Sequence, residues 1–352
     1  MIPNQWYAVL ESKEAPTEGA IGVTRLGEKL VFWRDSQGKL SCLRDQCPHR
    51  GAALSIGKVL GDNIQCPFHG FEYDKSGKCV LVPAIGKNAP PPRALQTKAY
   101  IVREAMDFIW LWYGEPREDL PEIPVFSDLD ESFSYLSLKE RWPVHYTRAI
   151  ENQLDVVHLP FVHRTTIGRG NRTVIDGPII ELKDNMLRVW VFNRKDDGIP
   201  ARKPQEIDVS GRSAFLHFRF PNIWMNRISD DSRIVVAFVP IDDSNTLMYL
   251  RPYQRMVKAP VVRRLVDLSL LLSSRVILRQ DRRVVLTQRP IETWLRMGEK
   301  VIQGDRPIVA YRAERERLKA LAGVERRDNA SQGEEIPNVE SEVNRLSNDY
   351  SQ

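Results

Sequence analysis

The sequence predicts an α+β chain in two parts: an all-β N-terminal domain, then an α+β domain with a central antiparallel sheet flanked by helices. Three observations predict this. The first 115 or so residues are dense in short alternating β-type runs punctuated by turns. From about residue 140 strand-like and helical runs mix, and one long helical pattern covers roughly residues 261–288.

Residues 21–25, 29–33 and 40–43 are the first strand candidates, with Asp35-Ser36-Gln37-Gly38 as a hairpin turn between the last two. Asp74-Lys75-Ser76-Gly77 makes another turn before a strand at 79–82, and strands at 100–102 and 108–112 close the block. Pro116, Pro121 and Pro124 separate acidic residues in a connecting passage. The expected domains are therefore 1–115 and 116–325. Residues 326–352, rich in Glu, Asn and Ser, read as a disordered tail.

In the second part a helix is expected around residues 147–158. Strands are expected at 179–182, 186–192, 213–220, 234–240 and 246–251, lining a pocket in which Phe215, Phe218, Phe220, Trp224 and Met225 suggest an apolar or aromatic guest, or else form core. On the long helix, Leu265, Leu268, Leu272 and Val276 fall at helical spacing.

The 352 residues hold 51 Lys and Arg against 46 Asp and Glu, a net charge of +5. So small an excess, not gathered into one stripe, argues against nucleic acid as a partner. The clusters Arg263-Arg264 and Arg279, Arg282 and Arg283 read as solvated helix faces. No apolar run is long enough to span a membrane, and Met1 to Tyr7 lacks a secretory pattern, so a cytoplasmic chain is expected.

Four cysteines and six histidines are few enough to account for singly. Cys47-Pro48-His49-Arg50-Gly51 and Cys66-Pro67-Phe68-His69-Gly70 each offer one thiolate and one imidazole, and each ends in a glycine that permits a tight turn. Cys-x-His with Cys-x-x-His is the ligand set of a Rieske [2Fe–2S] centre, in which cysteines hold one iron and histidines the other. A Cys₂His₂ zinc site uses the same ligands, but usually carries its histidines as a separate pair on a helix.

These motifs resemble the Rieske domain, and Asn4-Gln5-Trp6-Tyr7 resembles the start of the small Rieske non-haem iron oxygenases, the group of the vanillate and dicamba O-demethylases and the pheophorbide oxygenases. Respiratory-chain Rieske proteins carry an extra cysteine in each loop. Ala52 and Phe68 occupy those places here, which points to the oxygenase or ferredoxin branch, and Cys42 and Cys79 read as buried or idle thiols.

A second constellation spans residues 151–163. Asp155 and His158 are three apart, and Asn152 extends the same helical face. His158 and His163, five apart, diverge on a continuous helix, and Pro160 is expected to bend the chain so that they converge. Two histidines and a carboxylate with open positions suit ferrous iron that binds dioxygen. The spacing Asn-x-x-Asp-x-x-His-x-x-x-x-His matches the catalytic motif of Rieske oxygenases. That resemblance implies His158 and His163 as iron ligands, Asp155 as the bridge to the Rieske centre and Asn152 close to the iron. It also implies an aspartate from a late helix as third ligand. Asp281 in Gln280-Asp281-Arg282-Arg283 fits, with Val284 and Val285 packing beneath, and Asp267 and Asp305 compete. His145 and His217 remain unassigned, His217 being read either as a satisfied or exposed histidine or as one facing a substrate pocket.

Gly168-Arg169-Gly170-Asn171-Arg172-Thr173 has threonine where a dinucleotide loop needs its third glycine. NAD(P)H would therefore act only indirectly, through a separate reductase, with or without a ferredoxin. The resemblance implies a head-to-tail homotrimer in which electrons pass from one subunit's His69 through Asp155 to His158. It further implies oxygen insertion from O2 into a small molecule, by hydroxylation or demethylation. A ring cis-dihydroxylating dioxygenase and a Rieske electron carrier or sensor are the alternatives.

Overall fold

The computed structural model describes residues 1–324 and 338–348. Two compact units result: residues 3–125 with 239–242, and residues 126–238 with the described part of 243–352.

The first unit is all β. Its strands are β1 (Gln5–Glu11), β2 (Ala20–Arg25), β3 (Glu28–Arg34), β4 (Leu40–Arg44), β5 (Lys58–Leu60), β6 (Asn63–Gln65), β7 (Glu72–Tyr73), β8 (Cys79–Leu81), β9 (Val102–Ala105) and β10 (Phe108–Tyr113). They form three antiparallel sheets in the orders β1-β10-β9, β2-β3-β4 and β5-β6-β7-β8. Leu30 to Trp33 and Phe108 to Trp112 are buried without alternation, so β3 and β10 are covered on both faces. Trp33, Leu43, Leu54, Ile64, Tyr73 and Val82 pack directly around Cys47 and Cys66. The Trp6 indole N–H donates to the Pro121 carbonyl at 2.8 Å, tying the proline-rich passage to this unit. The division consequently falls after residue 125 rather than 115.

The second unit is built on β11 (Ser134–Tyr135), β12 (Leu138–Trp142), β13 (Val174–Lys183), β14 (Met186–Arg194), β15 (Leu216–Arg219), β16 (Ile223–Ser229), β17 (Ser232–Asp242) and β18 (Asn245–Gln254). The sheet runs β11-β18-β17-β16-β15-β14-β13, and β12 also pairs with β18. Helices α1 (Tyr146–Leu154), α2 (Leu159–Val162), α3 (Pro260–Val285), α4 (Arg306–Leu321) and α5 (Val339–Asn348) complete it. No described helix is long and apolar enough to cross a membrane.

Three local expectations are corrected. The helix expected over 147–158 stops at Leu154, because Asp155 takes an extended conformation as its C-cap. On α3 the apolar residues that set the helical period face outward: Leu265 is 63% exposed, and Leu268, Leu272 and Val276 are also exposed. The buried face instead carries Asp267, Ser274, Leu278, Asp281 and Val285, while Val284 is 38% exposed. Polar side chains are tolerated there because they are partnered; Asp267 accepts from Ser134 and from Gln254 at 3.1 and 2.8 Å. Finally, part of the segment read as a disordered tail is helix α5, held by buried Val343 and a 2.8 Å Arg296–Glu342 ion pair. Residues 325–337 and 349–352 of that segment lie outside the described residues.

Candidate metal centres

In the first unit, two loops with one hydrogen-bond pattern present the four expected cluster ligands. The Cys47 N–H donates to the Ala52 carbonyl at 2.7 Å, and the Gly51 N–H donates back to the Cys47 carbonyl at 2.8 Å. Cys66 repeats this with Phe71 at 2.7 Å and Gly70 at 3.1 Å. Closing each loop needs left-handed backbone at its glycine, with φ of +79° at Gly51 and +74° at Gly70. The cysteines point inward, 2% and 1% exposed, and the histidines outward. The His49 and His69 rings lie 4.7 Å apart, and His49 stacks on Phe71.

The Cys47 sulfur is 3.1 Å from the Tyr73 hydroxyl. Burial pushes the Cys66 thiol up, and the neighbouring Cys47 sulfur adds to this; the N–H groups of Phe68 and His69 pull it back. Such N–H groups suit a metal-bound thiolate. A single tetrahedral zinc would bring its donor atoms within about 4 Å of one another, given bond lengths near 2.0–2.3 Å. No three of these four donors come within 4.8 Å, a spread that fits two metal atoms better than one. Cys42 and Cys79 are buried free thiols.

In the second unit, one set of His, Cys, Asp or Glu donors among the described residues closes to within 4.8 Å: His158, His163 and Asp281. The two ends of α2 supply the first two and α3 the third. His158 is the N-cap of α2 and His163 its C-cap. Pro160 bends nothing; it sits in the first turn of α2, where a missing N–H has no helical partner to lose. Asp155 and His158 meet across a turn rather than along a helix, with Asp155 Oδ1 accepting from the Val157 and His158 N–H groups at 2.7 and 3.1 Å. The His158 Nδ1 lies 3.5 Å from the same oxygen, too far for a well-formed bond.

The donors converge on one another. His163 Nδ1 donates to the Gln280 side-chain oxygen at 2.8 Å, which leaves the Nε2 lone pair 2.9 Å from Asp281 Oδ1 and 3.2 Å from His158 Nε2. Asp281 Oδ1 is buried with no hydrogen-bond donor of its own. Burial alone would push His158 down, but Asp155 and Asp281 on either side raise it to about 9. For Asp281, burial pushes up and the two imidazoles more than compensate, holding it below the usual carboxylate range. A divalent cation bound here would displace the proton that His158 holds between the two carboxylates. Two imidazoles and a carboxylate converging in a buried site fit a 2-His-1-carboxylate iron site. Asp267 and Asp305 lie outside this set.

Sequence reasoning assigned no role to Gln280, Gln153 or Gly168. Gln280 accepts from both His163 and the Thr166 hydroxyl, and the Gln153 amide lies 3.4 Å from Asp281 Oδ2. Gly168, in the loop dismissed as a nucleotide motif, donates its N–H to the His163 carbonyl at 3.0 Å. A Cβ there would lie 2.0 Å from the Leu159 carbonyl oxygen, so only glycine lets this loop close on α2.

α1 is itself fixed by a buried ionic network. Arg312 donates to both oxygens of Glu151 at 2.8 and 2.7 Å, and Glu299 bridges Arg312 and Arg148. His145 caps the helix: its Nδ1 accepts from the Thr147 N–H at 3.4 Å and lies 2.8 Å from the Thr147 hydroxyl. His217 does not line the metal-side cavity; it stands on the opposite face of β15 near Phe126. That cavity, about 290 Å³, opens beside His158, His163 and Asp281 and is also lined by Asn152, Asp155, Phe215 and Trp224. Phe218, Phe220 and Met225 are core, the first two packed on Tyr311.

Residues 5–100 match the model of the Rieske [2Fe-2S] domain, and residues 142–321 match that of the vanillate O-demethylase oxygenase C-terminal domain. A chlorophyllide a oxygenase of Chlamydomonas reinhardtii is 36% identical over 48% of this chain and 26% of its own length. The iron-sulfur subunit of a toluene-4-sulfonate monooxygenase system of Comamonas testosteroni is 34% identical over 51% of each. The chain thus spans about a quarter to a half of the length of such curated relatives. Among solved structures, Pseudomonas putida NdmA with caffeine superposes with a TM-score of 0.72 at 23% identity, covering 91% of this chain and 92% of that one. Dicamba monooxygenase bound to dicamba gives 0.68 at 20%, covering 92% and 99%. At these identities the likeness is one of fold.

Proposed function

The chain belongs to the Rieske non-haem iron oxygenases, joining a Rieske [2Fe-2S] domain to a vanillate O-demethylase-type oxygenase domain, and from that premise we propose that it is the terminal oxygenase of a multicomponent system. It receives electrons from a separate reductase and uses O2 to hydroxylate or oxidatively demethylate a small organic molecule. The observation that carries this reading is the convergence of His158, His163 and Asp281 within 4.8 Å at the wall of a cavity.

Cys47, His49, Cys66 and His69 would hold the [2Fe–2S] cluster, and His158, His163 and Asp281 the mononuclear iron. When bound, the first supplies one-electron transfer and the second dioxygen activation. The chain's own contribution is orientation. Gln280 fixes the tautomer of His163, and Asp155 ties the start of α2 through two backbone N–H groups. Asn152, whose Nδ2 is buried without a partner, faces the same cavity. We infer from the family resemblance that half-buried Asp155 meets a neighbouring subunit's His69 in a head-to-tail homotrimer. Exposure of His49 and His69 supports such an arrangement, and the two thiols outside the cluster, Cys42 and Cys79, unpaired and buried, suit the cytoplasm.

Iron content and turnover test the proposal. Three irons per chain are expected, and His158→Ala should remove one while the Rieske EPR signal survives. Asp155→Ala should leave all three and stop oxygen uptake coupled to product. Two irons in the intact chain, or coupled turnover in the His158→Ala variant, would overturn it; light scattering tests the trimer.

A further inference from the structure

The cavity beside the three metal donors is largely apolar, with Val156, Leu159, Ile167, Val191, Phe215 and Ile277 in its wall. Asn152, Gln153 and Asn193 interrupt that wall, as do two polar groups on β16. Trp224 is 4% exposed, lines the cavity, and its indole N–H is buried without a hydrogen-bond partner. Asn226 also lines the cavity, and its buried Oδ1 is equally unpartnered. Residues two apart on a strand share a face, so both side chains address the same side of the sheet.

Unpaired buried donors are costly, and indole N–H groups normally find an acceptor. Trp6, Trp33, Trp110 and Trp112 in the first unit each donate to a backbone carbonyl. Trp142 also lacks a partner, but it does not line this cavity. Trp224 and Asn226 therefore offer the cavity a donor and an acceptor two residues apart on one strand face.

The charges lining the cavity narrow the ligand further. Asp155 and Asp281 are acidic, and Arg172 is the one Lys or Arg among the lining residues, with its side chain exposed. The lining therefore holds no buried Lys or Arg to pair with a carboxylate head at Trp224 and Asn226.

We propose that the cavity takes a flat, uncharged molecule in which a carbonyl and an N–H stand together on an apolar ring system, a lactam or secondary amide. The carbonyl accepts from Trp224 Nε1 and the N–H donates to Asn226 Oδ1. This rests on the oxygenase reading only in making that molecule the substrate.

The test compares binding of 3,4-dihydroquinolin-2-one with tetralin, its hydrocarbon counterpart, to the iron-loaded chain by ligand-observed NMR titration. The lactam should bind at least tenfold tighter. Trp224→Phe and Asn226→Leu should each cut that advantage about tenfold and leave tetralin within twofold. Absence of lactam binding, equal binding of the two, or an advantage that survives both substitutions would overturn the proposal. Intact preference in a chain with only two irons would instead count against the oxygenase reading alone.

Discussion

The His163 imidazole donates to the Gln280 side chain at 2.8 Å across 117 positions of sequence, and that bond turns its other nitrogen toward Asp281. Gln280 and Asp281 are neighbours on α3, so one helix both supplies a metal donor and sets the tautomer of another. Gln280→Leu should weaken mononuclear metal binding about 10- to 100-fold, the usual effect of losing such a supporting bond. Gln280→Glu, which keeps an acceptor, should retain most of it. Cobalt(II) titration followed by absorbance measures both, and an unchanged affinity in Gln280→Leu would show the bond to be incidental.

Gly168 sets the position of α2 from the other side. Any side chain there collides with the Leu159 carbonyl, which belongs to the helix's backbone and cannot rotate away. Gly168→Ala should destabilise the second unit by about 1–3 kcal/mol and loosen metal binding by at least tenfold. Thermal melting with and without cobalt(II) distinguishes the two effects.

Removing one member of the buried ion pair beneath α1 should cost more than removing both. Arg312→Met leaves the Glu151 carboxylate buried opposite nothing but Arg148 at 3.6 Å and the Thr293 hydroxyl. The expected loss is about 3–5 kcal/mol. Adding Glu151→Leu should recover much of it. Urea unfolding of the three proteins decides; a double variant no more stable than the single one would mean that the pair is not the cause.

Acid should weaken the second unit through His145. Burial holds this imidazole down to about 3, although Glu292 pulls the other way. Its folded value lies below its unfolded value near 6.5, so the unfolded chain binds more protons between the two. The stability held by the neutral ring is full above about pH 6.5 and falls as the pH drops toward 3. From pH 7 to pH 5 the loss should be roughly 2 kcal/mol. His145→Asn, which keeps a capping oxygen but does not titrate, should lose correspondingly less over the same interval. Equal losses in urea midpoints would exclude His145 as the origin.

What the sequence made legible is what lies close along the chain. The cysteine and histidine of each Rieske loop are two or three residues apart, and a glycine after each marks the turn, so local spacing carries the geometry. The 152–163 motif was readable for the same reason, although its backbone was not: Asp155 and Pro160 each do something other than helical periodicity suggests. Longer-range relationships left no such trace. The period of α3 shows in Leu265, Leu268, Leu272 and Val276, yet its packed face is the one with Asp267, Ser274 and Asp281, because partners from β11, β18 and α2 satisfy them. Arg312 and Gln280 look like ordinary helix-surface residues until the fold brings Glu151 and His163 to them. The same holds for Trp224, where an unpaired N–H is visible only once the strand is placed.

Six strands, β13 to β18, are inserted between the helix that carries His158 and His163 and the helix that carries Asp281. During synthesis the two histidines leave the ribosome first, and the carboxylate follows only after the whole antiparallel meander. Until α3 is made, this site offers iron two imidazoles without the carboxylate, a poorer grip. The third donor arrives with the walls of the cavity already made, so the order of the elements along the chain delays tight iron binding until the site that must contain its chemistry exists.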